Sequence, residues 1–375
     1  MIGLLKNAYT RFISLPYWWL IFGIFLFIWT IQVNPPLNRL EIQNGLWGVQ
    51  ILQSQNFSDN DFLENIMYGY NRALRLAFPA LLRLLHISQP RQAFILQLFI
   101  GLLFQIILVK SCLKASQNNI RGTILFTFAC TYYYFSNTAA GDTFGHGDAL
   151  AFLFILGCIA TESPILVGLC LFGAYFANER TFTLSLPSVV IWWLWDKQLF
   201  SHKKILFLSI PLSIIIYAVC RFLLLRQPHF DIQLPNDIGF FYLKKDHSFF
   251  NNYMFAFGSL WVLFFYWLFK KRQLPVLIGL VLFATISAFI VADQIRGLSF
   301  TFPLFIIAFR EIHKIENTEK INSILLWVAL IAIILPNFNY YGEYGFKPTL
   351  VYLFVERVLI DPIEYILQIL QKARA

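Results

Sequence analysis

Residues 93–113 read AFILQLFIGLLFQIILVKSCL, an apolar run carrying a single charge, Lys110. A helix rises about 1.5 Å per residue, so about 20 such residues cross the roughly 30 Å of hydrocarbon in a bilayer. Blocks of the same kind recur at 13–33, 205–225, 254–269, 275–292 and 322–337, with shorter ones at 122–135, 149–162, 164–178, 181–195 and 298–311. The shorter blocks must extend by a turn into polar flanks, or end at cavities lined by protein, where irregular backbone is tolerated. This pattern predicts an all-α fold, a polytopic transmembrane helix bundle of about eleven spans, as a single integral membrane domain over residues 1–375.

The composition points the same way. Of the 375 residues 58% are hydrophobic, 13% are charged and 41 are Phe, with a mean hydropathy of +0.63. Soluble domains are about 45–50% apolar and about 25% charged. Too little polar surface remains to coat a water-soluble globule, which excludes an ordinary cytosolic enzyme, a secreted domain and a disordered chain. The net charge of +9 fits positive flanks on apolar spans, and no nucleic-acid partner is expected. Cys112, Cys130, Cys158, Cys170 and Cys220 fall in or beside apolar blocks without a CxxC pair, so they read as small packing residues.

Basic residues set the orientation. With the N-terminus in the cytoplasm, the inner segments collect Lys6, Arg11, Lys110, Lys114, Arg121, Lys197, Lys203, Lys204, Lys270, Lys271, Arg272, Arg310, Lys314 and Lys320. The short outer loops hold few, as the positive-inside rule requires. No small-residue cleavage site follows the 13–33 block, so it reads as a retained first helix. Residues 34–92 form a large extracytoplasmic loop. Within it YNRALRLAFPALLRLLHI, residues 70–87, interleaves Arg72, Arg75 and Arg83 with leucines, as suits a helix lying flat with its arginines toward headgroups. A second outer loop spans 226–253. The tail, 338–375, carries a polar stripe of Arg357, Asp361, Glu364, Gln368 and Lys372 and reads as an interfacial helix.

Ionisable groups at membrane depth are costly, so their positions carry the functional information. Residues 137–150, NTAAGDTFGHGDAL, hold Asp142, His146 and Asp148 without a Lys or Arg, among three glycines that permit tight turns and close approach to a ligand. Two carboxylates and an imidazole suit a divalent cation such as Mg or Mn. A plain alternative is a polar turn in which Asp148 caps the next helix. Glu179 and Arg180 are adjacent and point about a third of a turn apart, so one or both reach elsewhere. Asp293 and Arg296 are three apart and can face one way. The planar fork of an arginine at the outer mouth is well shaped for phosphate. Arg221 and Arg226 are further candidates, with snorkelling to headgroups as the competing explanation. His86, His202, His229, His247 and His313 lack metal-ligand spacing, and no P-loop, GxSxG, HExxH or dinucleotide fingerprint occurs.

The order of these segments resembles the GT-C superfamily of polytopic glycosyltransferases. A first span precedes a large outer loop with amphipathic helices. GHGDALAFLFILGCI, residues 145–159, is similar to that family's turn opening a short helix pair. ANERTFTLSLPSVV, residues 177–190, is similar to the segment carrying a basic residue before a proline-ended helix in mannosyltransferase-like members, and Asp293 with Arg296 supplies a late D-x-x-R. The resemblance implies transfer of a sugar from a polyprenyl-phosphate-linked donor to a glycan, lipid or protein acceptor at the extracytoplasmic face, and the heavy use of Ile, Phe, Asn and Lys points to an AT-rich genome and so to a bacterial inner membrane. It also implies a catalytic acid early in the first outer loop. The nearest acid here is Glu41, followed by Asp59, Asp61 and Glu64, so the family's paired acids are not plainly present. In this reading Glu41, Asp142 or Asp148 serves as base, His146 and Asp148 shape an acceptor or metal site, and Glu179, Arg180, Arg221, Asp293 and Arg296 bind substrate. The alternatives are a polysaccharide polymerase, a lipid or solute transporter of the flippase kind, and a non-enzymatic scaffold. No correspondence between halves of the chain supports the transporter.

Overall fold

The computed structural model describes residues 2–33, 44–57, 75–141, 145–195, 203–226, 256–271, 294–334, 337–339 and 345–347. Within these the chain is helical: α1 Ile2–Ile13, α2 Trp18–Val33, α3 Asn44–Gln55, α4 Ala77–Leu84, α5 Pro90–Ala115, α6 Ile120–Cys130, α7 Tyr134–Gly141, α8 Asp148–Ala160 and α9 Pro164–Ala177. A π-helical turn, Thr181–Ser185, then leads into α10 Leu186–Trp195. α11 Lys203–Leu225, α12 Leu260–Lys271, α13 Gln294–Ser299, α14 Pro303–His313 and α15 Thr318–Ile334 follow. One antiparallel ribbon, β1 Asn337–Asn339 with β2 Gly345–Lys347, stands where the sequence pattern gave no strand. The remainder of the expected tail helix and the block at 275–292 lie outside the described residues.

Local chemistry explains most boundaries. The 13–33 block breaks at Pro16, because a proline ring blocks the continuing helix, and the segments before and after it cross at 112°. Pro90, Pro164 and Pro303 each sit at the first turn of their helices, where a missing N–H costs nothing. The Asn119 side chain caps α6 by accepting from Gly122 N, and Ser163 caps α9 by accepting from Leu166 N. Among the described residues α5, with 26 residues, is the one unbroken helix long and apolar enough to cross a bilayer, and the bent α1–α2 pair makes a second if taken as one span. Of the shorter apolar helices, Ile120–Cys130, Asp148–Ala160, Pro164–Ala177 and Thr181–Leu194 fall on the shorter blocks, whereas Leu208–Leu224 and Leu260–Lys270 fall on the longer blocks at 205–225 and 254–269.

α5 is the hub, packing against α2, α3, α7, α8 and α14. Its Phe104 touches the rings of Phe135, Phe152 and Phe302, drawing four segments into one aromatic core. Neighbouring helices run in fixed senses. α8 and α9 are antiparallel, with Cys158 near Val167 and Asn178 near Asp148, whereas α9 and α11 run parallel, Gly168 beside Ser209 and Tyr175 beside Tyr217. Polar clusters consequently gather at the two ends of the bundle. One end holds Lys114 with Glu162, Glu316 with Lys270 and Lys320, and Arg310 between Trp192 and Glu311. The flanks are apolar outward: Phe25 and Ile28 on α2, Ile165 and Leu169 on α9, Ile215 and Phe222 on α11, and Phe269 on α12 are exposed.

Candidate functional site at the second end of the bundle

The site begins with a turn. Gly145 and Gly147 have φ of +77° and +76°, left-handed values that side chains with a Cβ rarely adopt. A Cβ on Gly145 would also stand 2.8 Å from Cδ2 of buried Trp47, so the turn is pressed directly against α3. Gln50 on the same helix donates from Nε2 to Gly145 O at 3.3 Å. The turn delivers Asp148 into the protein as the first residue of α8.

Asp148 does not cap that helix. Gly147 occupies the cap position without a side-chain bond, and the Asp148 carboxylate is fully buried and turned to its neighbours. Asn178, just past α9, donates from Nδ2 to Asp148 Oδ1 at 2.7 Å. Arg296 on α13 donates from Nη2 to the same oxygen at 2.9 Å and from Nε to Oδ2. Asp148 therefore accepts three N–H bonds, the two from Arg296 forming a two-pronged pair that fixes orientation as well as charge. Asn178 uses its own Oδ1 to accept from Arg180 N at 3.0 Å, and Thr181 Oγ1 donates to Asn178 O at 2.7 Å. This network shapes the turn that leads into the π-helical residues.

A second ion pair lies alongside. Arg75 donates from Nε to Glu179 Oε2 at 2.8 Å and from Nη2 to Oε1 at 2.5 Å. Glu179 sits in the turn between α9 and the π-helical residues. Burial alone would raise its carboxyl, but the charge and bonds of Arg75 outweigh that and hold it at about 2. Arg75 and half-buried His146 also add positive potential at Asp148, which places both pairs in one electrostatic neighbourhood. On the rim, Arg221 of α11 donates from Nη1 to Tyr217 Oη at 2.9 Å, and the charges of Glu179 and Arg75 act on that same hydroxyl.

The structure thus brings together Asp148, His146, Glu179, Arg180, Arg296 and, at the edge, Arg221. Glu41, Asp142 and Asp293 lie outside the described residues. Three expectations change. Asp148 is an ion-pair and hydrogen-bond acceptor where a helix cap was the plain alternative. Arg296 is occupied by a carboxylate where a free fork for phosphate was expected. Arg75 turns inward to Glu179, where the interfacial helix pattern had it facing headgroups; in the following residues Leu84 and Leu85 are exposed and Arg83 lies over the Phe57 ring at 5.2 Å, while Arg72 lies outside the described residues. Asn178 and Tyr217 carried no charge to mark them. Their signal is spacing alone, one residue before Glu179 and one helical turn before Arg221.

Of the candidate metal set, Asp142 lies outside the described residues and Asp148 is engaged elsewhere. Its oxygens already serve a guanidinium and an amide, and among the described residues no group of three His, Cys, Asp or Glu side chains is arranged to hold an ion. Comparison with family models, with curated proteins and with solved structures finds no match to this chain.

Proposed function

We propose that the protein is a multi-pass membrane glycosyltransferase that uses a lipid-phosphate-linked sugar, with its site at the end of the bundle carrying Asp148 and Arg296. The membrane part of this reading is supported by the apolar outward faces of α2, α9, α11 and α12, which would drive aggregation in water but are the ordinary surface of a helix in lipid. Close helix contacts through glycine support it too. Gly23 lies against Ile106, and Gly101 against Ala139 and Ala140, as in membrane bundles where small residues let backbones approach. The bundle of about eleven spans and the cytoplasmic N-terminus belong to the same proposal.

The single observation that carries the catalytic part is convergence. Arg75, Asp148, Glu179, Arg221 and Arg296, from five separate stretches of the chain, meet at one end, while the opposite end carries the lysine-rich turns expected in the cytoplasm. Glycosyl transfer from a lipid phosphate needs a carboxylate to accept the proton of the attacking hydroxyl and cations to stabilise the departing phosphate. Asp148 is a positioning residue in this scheme, since its oxygens are committed to Arg296 and Asn178. The base role passes to an acid of the first outer loop, Glu41 foremost, or to Asp142. The Arg75–Glu179 and Arg296–Asp148 pairs hold the pocket walls in register.

The test is direct. Purified protein in lipid nanodiscs is incubated with a panel of polyprenyl-phosphate sugars and short glycan or lipid acceptors. Release of the lipid phosphate that depends on acceptor is the expected result, and absence of release across the panel removes the transferase reading.

A further inference from the structure

The charges at the site end balance unevenly. Arg75 is neutralised by Glu179 and Arg296 by Asp148. Arg221 differs: its hydrogen bond goes to the neutral hydroxyl of Tyr217, and among the described residues no carboxylate reaches it. Its guanidinium lies 5.9 Å from the Tyr217 ring centroid. That ring is itself fixed, packing at 5.3 Å from Tyr175 and 5.0 Å from Phe176, both on α9. The cation therefore sits on a rigid platform at the α9–α11 seam and is only half-buried. On the same helix Leu212, Ile215, Val219 and Phe222 face outward and are exposed.

We infer that Arg221 and Tyr217 form the seat for the phosphate of the lipid-linked donor, reached sideways from the bilayer along the α9–α11 seam. The inference rests on the transferase reading and assigns within it a residue and a route. Arg296 is poorly suited to the same task, because a buried guanidinium already matched by a carboxylate gains little from a second anion. Arg221 carries an unmatched charge near the C-terminal end of α11, and Nη1 alone is used by Tyr217, which leaves donors of the planar fork for two parallel bonds to phosphate oxygens. A hydroxyl that accepts from the arginine keeps its own O–H to donate, so Tyr217 supplies a further bond to the anion. The apolar outer face of α11 guides the lipid chain while the head is held. The general chemistry is a phosphate carried on a lipid, and two sources fit it, the donor and bulk anionic phospholipid.

The experiment measures binding of a short-chain polyprenyl phosphate to the protein in phosphatidylcholine nanodiscs, by native mass spectrometry, with phosphatidylglycerol and inorganic phosphate as competitors. R221Q is expected to weaken binding at least tenfold, R221K to fall between it and wild type, and Y217F to lose a smaller factor; all three should keep the wild-type melting temperature within a few degrees. Inorganic phosphate at equal concentration is expected not to compete. Unchanged affinity in R221Q and R221K overturns this seat and leaves the transferase reading standing. Wild-type protein that binds no polyprenyl phosphate overturns both. Equal competition by phosphatidylglycerol overturns the assignment to the donor and identifies an ordinary headgroup site, and equal competition by inorganic phosphate overturns the lateral route.

Discussion

Arg296 and Asp148 face each other as a guanidinium fork on a carboxylate, both buried, although they stand 148 positions apart in the chain. The pair joins α13 to the first residue of α8 and so fixes the geometry of the whole site end. A buried pair of this kind is costly to break from one side, because the remaining charge has no water to return to. R296M is therefore expected to destabilise the protein by about 3–5 kcal/mol. The double variant D148L/R296M, which removes both charges, should recover most of that loss. Denaturant or thermal unfolding in detergent reads the difference. If the double variant is as unstable as R296M, the loss comes from packing and the charge argument fails.

The Arg75–Glu179 pair makes a prediction about acid. Folded Glu179 keeps its charge down to about 2, whereas an unfolded glutamate protonates near about 4.3. The folded state thus binds fewer protons, and the stabilisation is complete above the unfolded value and is lost as pH falls toward about 2. The melting temperature of wild type should exceed that of E179Q by a constant margin between about pH 6 and 8, and the margin should shrink below about pH 4.5. A margin that changes between pH 6 and 8 would show that another group controls it.

The helical class and most helix positions were legible because apolar blocks of bilayer length have few other uses. The block at 93–113 sits inside α5 with less than a turn added at each end. The break at Pro16 follows from proline chemistry, yet a block read by hydropathy runs straight through it. The site was legible in part. Asp148, Glu179 and Arg296 stood out as rare charges, and the adjacency of Glu179 and Arg180 pointed one or both of them to partners elsewhere. Their true partners were not legible, since the Asp148–Arg296 and Arg75–Glu179 contacts depend on how helices pack in three dimensions and on no local periodicity. Arg75 was misplaced for the same reason: arginines interleaved with leucines look alike whether they face headgroups or a buried glutamate.

Helix packing through glycine yields a third test. A Cβ at Gly101 would lie 2.7 Å from Ala140 Cα and still closer to the carbonyl oxygen of Ala139, and neither backbone atom can swing aside as a side chain would. The contact is held by Gln97 nearby, which donates from Nε2 to Ala139 O at 3.2 Å, and by Gln105, which donates to Ser136 Oγ at 2.6 Å. G101A is expected to push α5 from α7 and to cost about 1–3 kcal/mol, the range for overpacking a well-filled interior. The control is G48A on α3, where a Cβ meets nothing within 4 Å. Equal melting temperatures for the two variants would refute the close approach.

Asn119 offers a last test at the opposite end, because one side chain there serves three helices. Its Oδ1 accepts from Gly122 N at 3.0 Å as the cap of α6, and its Nδ2 donates to Asn322 Oδ1 on α15 at 2.9 Å and faces His313 Nε2 at 3.1 Å. His313 Nδ1 lies 2.7 Å from Phe309 O, which assigns the ring proton to Nδ1 and leaves Nε2 to accept. N119A removes cap and ties together and should cost about 1–2 kcal/mol at any pH between 5 and 8. N119D keeps the cap but meets His313 with a carboxylate, which favours the imidazolium. A histidine whose folded value is raised stabilises fully below its ordinary value of about 6.5 and loses that contribution as pH climbs through the folded one. N119D should therefore lie close to wild type at pH 5.5 and fall toward N119A by pH 8, as thermal unfolding at the two pH values would register. Parallel losses for N119D and N119A at both would mean that the Nδ2 contacts to Asn322 and His313, which both variants lack, and neither the cap nor a charge pair with His313, carry the contribution of Asn119.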